Sequence, residues 1–292
     1  MQQPHFVGMD RRGFLQAGAA TLGLASLPTL LHAEDKKKAD EFGGFTLGVQ
    51  SYSFRNFKLE PALKKIQDLG LHYVEFYNGH VPVSSTPEQI KAVLKLCKDY
   101  DITPVAYGVE PFSKNHDENK KRFDLGKALG IKTLTADPTP DSFDDLDRLV
   151  EETKISIGIH PHGPQGRSLH RWYSAEVILK AVKDHHPLIG TCIDTAHIIR
   201  VAQIGPKLDP VQQIRLMGDR NFGLHLKDHD NAKKTDVIFG KGALDVPGVL
   251  QALRDLHFKG YISIEYEAHP EEPSSDMRAC VEIFKESVKK LA

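Results

Sequence analysis

Short apolar runs alternate with longer amphipathic runs from about residue 45 to the end of the chain, and this alternation constrains the fold most strongly. The run 189–193 is typical of a buried strand. The segment 87–97 has helical spacing and begins within Ser85-Thr86-Pro87-Glu88, a capping sequence. Alternating strands and helices predict a parallel sheet. Eight strand–helix units in about 250 residues predict an α/β fold, the (β/α)8 TIM barrel.

The alternative is a doubly wound open sheet, which normally has fewer units and a glycine-rich phosphate turn after its first strand; that turn is missing here. We therefore predict one barrel domain, 44–292, preceded by a polar leader, 34–43. The predicted strands are 45–53, 73–77, 102–107, 131–136, 155–159, 189–193, 222–226 and 261–266. The predicted helices are 61–69, 87–97, 118–129, 142–152, 174–184, 210–217, 247–256 and 276–291.

The first 33 residues have the order of a secretory signal peptide. Asp10–Gln16 is charged, Ala17–Leu31 is mildly apolar, and a small residue, Ala33, marks the expected cleavage site. The paired Arg11 and Arg12 before Phe-Leu resemble a twin-arginine signal. The apolar run is too short and interrupted for a membrane anchor. We expect export by the twin-arginine translocase to the periplasm or beyond the cell, with no stable membrane anchor.

Charge and cysteine content exclude other classes of protein. The formal net charge of the 292 residues is −1, so no basic excess points to a nucleic-acid partner. Cys97, Cys192 and Cys280 lie far apart without a CxxC spacing, which argues against a disulfide framework or a structural zinc site. Nothing in the sequence sets the oligomeric state.

Four of the predicted strands end in side chains that can bind a metal ion. His160, Asp194, His225 and Glu265 follow strands five to eight. Active sites of TIM barrels lie at the carboxyl ends of the strands, so we expect these side chains to converge. A mixed set of imidazoles and carboxylates suits Mn²⁺, Fe²⁺, Co²⁺ or Zn²⁺ better than Ca²⁺ or Mg²⁺. The sequence therefore predicts one divalent metal ion.

Several motifs resemble the xylose isomerase-like TIM barrels, the superfamily of sugar phosphate isomerases and epimerases that also contains endonuclease IV. They are Ile193-Asp194-Thr195-Ala196-His197, His225-Leu226-Lys227-Asp228, Gly240-Lys241-Gly242-Ala243-Leu244-Asp245, and Gly260-Tyr261-Ile262-Ser263-Ile264-Glu265-Tyr266-Glu267. The resemblance covers essentially the whole mature chain. It implies a metal-dependent isomerase or epimerase with a sugar as its small-molecule substrate.

The resemblance also implies residue roles. Asp194, His225 and Glu265 match the metal positions of strands six, seven and eight, and His197 matches a position that contacts substrate oxygens. Strand five departs from the pattern, since many sugar epimerases of the group have a catalytic glutamate where this chain has His160. The usual mechanism with two opposed carboxylates therefore does not carry over unchanged.

The remaining candidates concern proton transfer and substrate contacts. The base that removes a proton next to a carbonyl would be Glu265, Glu267 or a histidine, and the acids or oxygen contacts would be His197, His162 and Lys227. Glu75, at the end of strand two, and His80, shortly after it, could contact substrate; Glu75 could also support a metal ligand from behind, or equally form a buried ion pair. Tyr107 could join an aromatic wall for a sugar, or simply fill the barrel mouth.

Three functions remain open at this point. The first is an exported isomerase or epimerase of an unphosphorylated sugar or keto-sugar that acts through an enediolate. The second is a metal-dependent lyase or dehydratase of a keto-sugar or glycoside, because the same enediolate can expel a β-substituent. The third is a carbohydrate-binding barrel without catalysis. Mn²⁺ is favoured because twin-arginine export carries folded proteins, so a weakly bound ion could be loaded before release.

Overall fold

The computed structural model describes residues 40–291, and its centre is a closed barrel of eight parallel strands. This confirms the predicted TIM barrel. The signal-peptide prediction, 1–33, lies outside the described residues. The strands are β1 Thr46–Gln50, β2 Tyr73–Phe76, β3 Thr103–Phe112, β4 Thr133–Pro138, β5 Ser156–Ile159, β6 Ile189–Asp194, β7 Asn221–Leu226, β8 Asp228–Asp230, β9 Thr235–Val237 and β10 Tyr261–Ile264. The order around the barrel is β1-β10-β7-β6-β5-β4-β3-β2.

Helices connect the successive barrel strands. They are α1 Leu59–Asp68, α2 Pro87–Asp99, α3 His116–Leu129, α4 Phe143–Thr153, α5 Ala175–Val182, α6 Thr195–Arg200, α7 Pro210–Met217, α8 Val246–Asp255 and α9 Ser274–Val288. Helix α2 begins as its sequence indicates, with Thr86 and Gln89 forming a reciprocal capping box around Pro87. In the part of the chain described, no helix is long and apolar enough to cross a membrane.

Three short segments differ from the prediction. Helix α6 follows β6 directly, where a loop was expected, because its six residues are too few to show helical periodicity. The loop after β7 contains the antiparallel hairpin β8–β9, whose polar sequence lacks the alternation that marks a strand. Strand β1 ends at Gln50, earlier than predicted, because Ser51–Phe54 turns into a 3₁₀-helix.

Strands β6 and β7 approach each other closely at the amino-terminal end of the barrel, where a cavity of about 750 Å³ opens between the starts of the strands. A Cβ atom on Gly190 would lie 1.9 Å from the carbonyl oxygen of Arg220, so only glycine fits this point of close approach between β6 and the start of β7. All three cysteines are buried and free; Cys192 lies on β6, as predicted from its position in an apolar run. The side chains predicted to bind a metal ion lie at the opposite, carboxyl end of the strands.

Asp228 organises the long connection that follows β7. Its buried carboxylate accepts hydrogen bonds from the backbone N–H groups of His229 at 2.8 Å, Gly240 at 2.9 Å, Gly242 at 2.9 Å and Leu244 at 3.0 Å. Burial raises the pKa of this carboxyl, and the four donors oppose that shift. A Cβ atom on Gly242 would lie 2.4 Å from Asp228 Oδ1, which explains the glycine in the Gly240–Asp245 motif.

Replacing Asp228 by asparagine should destabilise this connection. The amide presents N–H groups to donors and loses the charge, so we expect the free energy of unfolding to fall by about 2 kcal/mol, within the range for hydrogen bonds to charged groups. Urea unfolding measures the loss, and hydrogen exchange should quicken at residues 240–244. The control is Asp230→Asn in the same connection, which should cost less than about 1 kcal/mol because that side chain is partly exposed. Equal losses would contradict this role for Asp228.

Candidate metal and active site

The four side chains predicted to bind a metal ion lie together at the carboxyl end of the barrel. His160 follows β5, Asp194 ends β6, His225 lies on β7, and Glu265 follows β10; all four are buried. One ligand-type atom from each lies within 4.8 Å of the other three. His225 Nδ1 is 3.1 Å from His160 Nε2 and 3.1 Å from Glu265 Oε2. We call these four residues the strand-end cluster.

The two carboxylate oxygens of Asp194 have different partners. Oδ1 accepts a 2.7 Å hydrogen bond from the backbone N–H of His197, so the carboxylate caps helix α6. Oδ2 faces the cluster, receives no hydrogen bond, and lies 3.2 Å from Lys227 Nζ and 3.5 Å from His160 Nε2. The Asp-x-x-His spacing is therefore a helix cap that leaves one carboxylate oxygen for another partner.

His225 is oriented from inside the barrel by Glu75. Its Nε2 lies 2.8 Å from Glu75 Oε2, which leaves Nδ1 directed at the cluster. Glu75 is fully buried and also accepts hydrogen bonds from Ser263 Oγ, at 2.9 Å, and Thr135 Oγ1, at 2.5 Å. A carboxylate that holds the second nitrogen of a histidine is the usual support for a metal-binding imidazole. Glu75 thus lies behind the cluster, where it pairs with His225 rather than lining the site.

Lys227 places a buried ammonium at the edge of the cluster. Its Nζ lies 2.8 Å from Glu265 Oε2, 2.7 Å from Glu267 Oε1 and 3.2 Å from Asp194 Oδ2. Burial alone would lower its pKa, but these carboxylates raise the pKa well above its ordinary value, so Lys227 stays protonated. It therefore acts as a fixed cation and hydrogen-bond donor.

The carboxylates around the cluster outnumber the permanent cations that pair with them, which favours binding of a further cation. Glu75, Asp194, Glu265 and Glu267 bring four carboxylates to this region, and among residues 40–291 Lys227 is the one lysine or arginine in an ion pair with them. Buried charges are stable mainly when they are paired or metal-bound. The unbonded Oδ2 of Asp194 and the mixed nitrogen and oxygen donors both fit a divalent transition metal ion.

The pKa values of His225 and Asp194 reflect the opposite charges that surround each of them. Burial would lower the pKa of His225, but Cys192 and the carboxylates of Glu75 and Glu265 raise it well above its ordinary value. Burial would raise the pKa of Asp194, but the Lys227 ammonium, with His197 and His160, holds it well below its usual range. A proton on His225 thus supplies positive charge to the cluster, and a divalent metal ion bound there would supply more.

His197 lies beside the cluster as a neutral hydrogen-bond donor. Its Nδ1 accepts a 2.8 Å hydrogen bond from the backbone N–H of Gly163, and a backbone N–H can only donate. Burial lowers the pKa of His197 well below its ordinary value, so the neutral ring carries its proton on Nε2. The sequence could not give this tautomer, because Gly163 lies 34 residues away.

His162 extends the group of imidazoles on the side of strand five. Its ring centroid lies 4.7 Å from that of His160, 5.1 Å from that of His197 and 4.6 Å from that of His170. Burial lowers its pKa to about 3, assisted by the charges of His160 and His170. His162 is therefore neutral at physiological pH and can exchange hydrogen bonds with a polyol.

Two predicted substrate contacts pack elsewhere. His80 Nε2 lies 3.0 Å from the carbonyl oxygen of Phe57, and its ring lies edge-on to Tyr77. Tyr107 is fully buried and donates its hydroxyl hydrogen to the carbonyl oxygen of Val81 at 2.8 Å, which is the barrel-filling alternative. Ser263, the hydrogen-bond donor to Glu75, carries no signal of its own in the sequence except its position two residues before Glu265, which places both on the same side of the strand.

Comparisons with known proteins agree with this architecture. A family model described as "Xylose isomerase-like TIM barrel" matches residues 63–287, and no curated protein matches the chain. An uncharacterised protein from Parabacteroides distasonis shares 27% identity at a TM-score of 0.65, covering 83% of this chain and 98% of its own.

Two sugar epimerases of known structure share the fold at lower identity. A D-psicose 3-epimerase solved in the presence of D-fructose has a TM-score of 0.62 and 14% identity, covering 84% of this chain and 97% of its own. An L-ribulose 3-epimerase has a TM-score of 0.65 and 14% identity, covering 84% and 96%.

Replacing Glu75 by glutamine should weaken metal binding without removing a ligand. The amide cannot hold His225 as strongly, so we expect the affinity for Mn²⁺ or Zn²⁺ to fall by about 10- to 100-fold, the usual effect of losing such a support. Isothermal titration of chelator-treated protein measures it. Glu110→Gln is the matched control, since it removes another buried carboxylate, paired with Arg122 at 3.0 Å. Unchanged affinity in Glu75→Gln would show that His225 does not need this partner.

Proposed function

The chain belongs to the xylose isomerase-like TIM barrel family, and from this premise we propose that it is a divalent-metal-dependent isomerase or epimerase. Its substrate would be an unphosphorylated sugar or keto-sugar, and the reaction would pass through an enediolate. The fold shared with D-psicose 3-epimerase and L-ribulose 3-epimerase supports a sugar substrate. Mn²⁺ is the favoured ion, with Zn²⁺, Co²⁺ or Fe²⁺ as alternatives.

The observation that carries the proposal is the convergence of the strand-end cluster. Four buried donor atoms from four separate strands lie within 4.8 Å of one another, among more carboxylates than the neighbouring lysine neutralises. His160, Asp194, His225 and Glu265 would hold the ion. A divalent cation there would polarise a carbonyl and acidify the adjacent C–H bond.

The protein groups around the cluster have complementary roles in moving one proton. Glu265 lies at the cluster and Glu267 at its exposed side, so these carboxylates would accept the proton from the substrate carbon. Lys227 contacts both carboxylates and stays protonated, so it holds them in position and stabilises negative charge that develops on a substrate oxygen. His197, with its proton on Nε2, would donate a hydrogen bond to another oxygen.

A lyase or dehydratase is the second candidate, and the residue after strand five favours it. His160, His162 and His197 bring three imidazoles together at the end of strand five, where a two-carboxylate epimerase would have a second glutamate. The neutral imidazoles of His162 and His197 would hydrogen-bond a departing hydroxyl, and the carboxylic acid formed when a carboxylate removes the C–H proton would protonate it. The same site would then eliminate a β-substituent rather than return a proton to carbon.

Turnover in D₂O tests the proposal and separates its two forms. Mn²⁺-loaded protein is incubated with a panel of neutral sugars and 3-keto-sugars, and the products are read by NMR. Solvent deuterium at a stereocentre supports isomerisation or epimerisation, whereas an unsaturated product supports elimination. Absence of both exchange and products across the panel would favour a non-catalytic carbohydrate-binding barrel.

Metal dependence is tested separately, by the melting temperature of the protein with and without the ion. Saturation at a hundred times the dissociation constant stabilises a protein by about 2.7 kcal/mol, so Mn²⁺ should raise the melting temperature of chelator-treated protein by about 5–10 °C. Asp194→Asn should lose most of this rise and the exchange activity, while asparagine still caps α6. An identical rise in the variant would refute Asp194 as a ligand.

Export is a further part of the proposal, and it rests on the sequence alone. Arg11-Arg12 before an apolar run that ends near Ala33 would direct the folded protein to the twin-arginine translocase. In a bacterium with this translocase, the mature protein should appear outside the cytoplasm with its amino terminus near residue 34. Replacing both arginines by lysine should retain full-length protein in the cytoplasm. Export that survives this change would argue for another route.

A further inference from the structure

A cavity of about 350 Å³ lies directly beside the strand-end cluster, and its size suits a monosaccharide. Glu267 lines this cavity and also contacts Lys227 Nζ at 2.7 Å, so this side chain links the wall of the cavity to the edge of the cluster. Its charged and titratable lining consists of Arg200, His229, Lys234, Asp236 and Glu267. We call it the side cavity.

The two acidic groups of the side cavity already have partners. Asp236 Oδ1 lies 3.0 Å from His229 Nδ1, and its Oδ2 accepts a 3.3 Å hydrogen bond from the backbone N–H of Glu267. Glu267 forms an ion pair with Lys227. Neither carboxylate is left to neutralise a second cation.

The two permanent cations of the side cavity have no such partners. Among residues 40–291, no carboxylate lies within 4.0 Å of the charged nitrogens of Arg200 or Lys234. Arg200 Nε is buried and has no hydrogen-bond partner, and its Nη1 lies 3.4 Å from His197 Nδ1. A buried donor without a partner costs free energy unless a ligand or water satisfies it.

Arg200 is also held in place. It is the last residue of α6, the helix that Asp194 caps, and a Cβ atom on Gly163 would lie 2.9 Å from Arg200 Cβ and 3.3 Å from its Nε. The loop after β5 therefore packs closely against this side chain. A guanidinium positioned in this way suits oxygen anions, which it can bind through two parallel hydrogen bonds.

We propose that the side cavity is a subsite for an anionic group, a carboxylate or a phosphate ester, of the sugar that reaches the cluster, with Arg200 as the main contact and Lys234 as a second cation. The natural substrate would then be an acidic sugar, such as a uronic or aldonic acid derivative, rather than a neutral one. This inference rests on the proposed function only in taking the ligand to be a sugar. A phosphate ester in that position would revise the unphosphorylated substrate proposed above.

Binding by matched sugars tests the subsite independently of turnover. Isothermal titration of the full mature chain, loaded with Mn²⁺, compares D-galactose, D-galacturonate and D-galactose 6-phosphate. We expect at least one anionic sugar to bind roughly tenfold or more tightly than galactose, as a charge-assisted contact supplies. Raising the salt from about 50 to 300 mM should narrow the difference, because exposed Lys234 is screened. The galacturonate and phosphate arms show which anion the subsite accepts.

Variants assign the preference to the two cations. Arg200→Gln should bring the anionic and neutral sugars within about twofold of each other, and Arg200→Lys should restore part of the difference. Lys234→Gln should reduce the preference less. Lys233→Gln is the matched control, since this neighbouring lysine pairs with Asp230 and should leave the preference unchanged. The melting temperature and Mn²⁺ affinity of each variant show whether the fold and the cluster are intact.

Two results would overturn the inference. One is a wild-type chain that binds no anionic sugar more tightly than galactose, including the case in which none of the three binds. The other is a preference that survives in Arg200→Gln. Failure of the proposed function has a different signature, because a chain without deuterium exchange or metal-induced stabilisation can still show a preference for anionic sugars that depends on Arg200.

Discussion

Electrostatic repulsion among buried carboxylates is the constraint on which the mouth of this barrel depends. Asp194, Glu265 and Glu75 are all buried within a few ångströms of His225, and among residues 40–291 Lys227 alone supplies a permanent positive charge in ion pairs with this set. Such a group is stable only if protons, an ammonium or a metal ion balance it. The raised pKa values of His225 and Lys227 are the response of the protein itself to that imbalance.

The parts that could be predicted from the sequence follow from short-range rules. Alternating periodicity gave the barrel, and the rule that strands end together at one face brought His160, Asp194, His225 and Glu265 into one group. The position of Glu75 could not be settled in the same way. It contacts His225 across 150 residues, between β2 and β7, strands that are not neighbours in the barrel. Long-range partners of this kind leave no periodic signal.

Strand five explains why the family does not by itself fix the reaction. An imidazole at His160 can bind a metal ion as a carboxylate does, but it adds no negative charge and no second carboxylate base. His162 and His197 lie beside it as neutral rings, so this side of the site is a surface of hydrogen-bonding imidazoles. Glu265 and Glu267, both paired with Lys227, supply carboxylates to the same site, so imidazoles and carboxylates are both available to a substrate.

The double task of Asp194 has a consequence for how such a site can change over time. One oxygen of Asp194 caps α6 and the other faces the cluster, so the position of the metal-binding oxygen is fixed by the start of the helix rather than by a separate loop. The same helix carries His197 near its start and Arg200 at its end. Substitutions along this short helix can therefore change substrate contacts one at a time, while Asp194, the residue that caps it, keeps the metal-binding geometry. This makes Asp194 and α6 together the natural segment to transplant when related barrels are re-engineered.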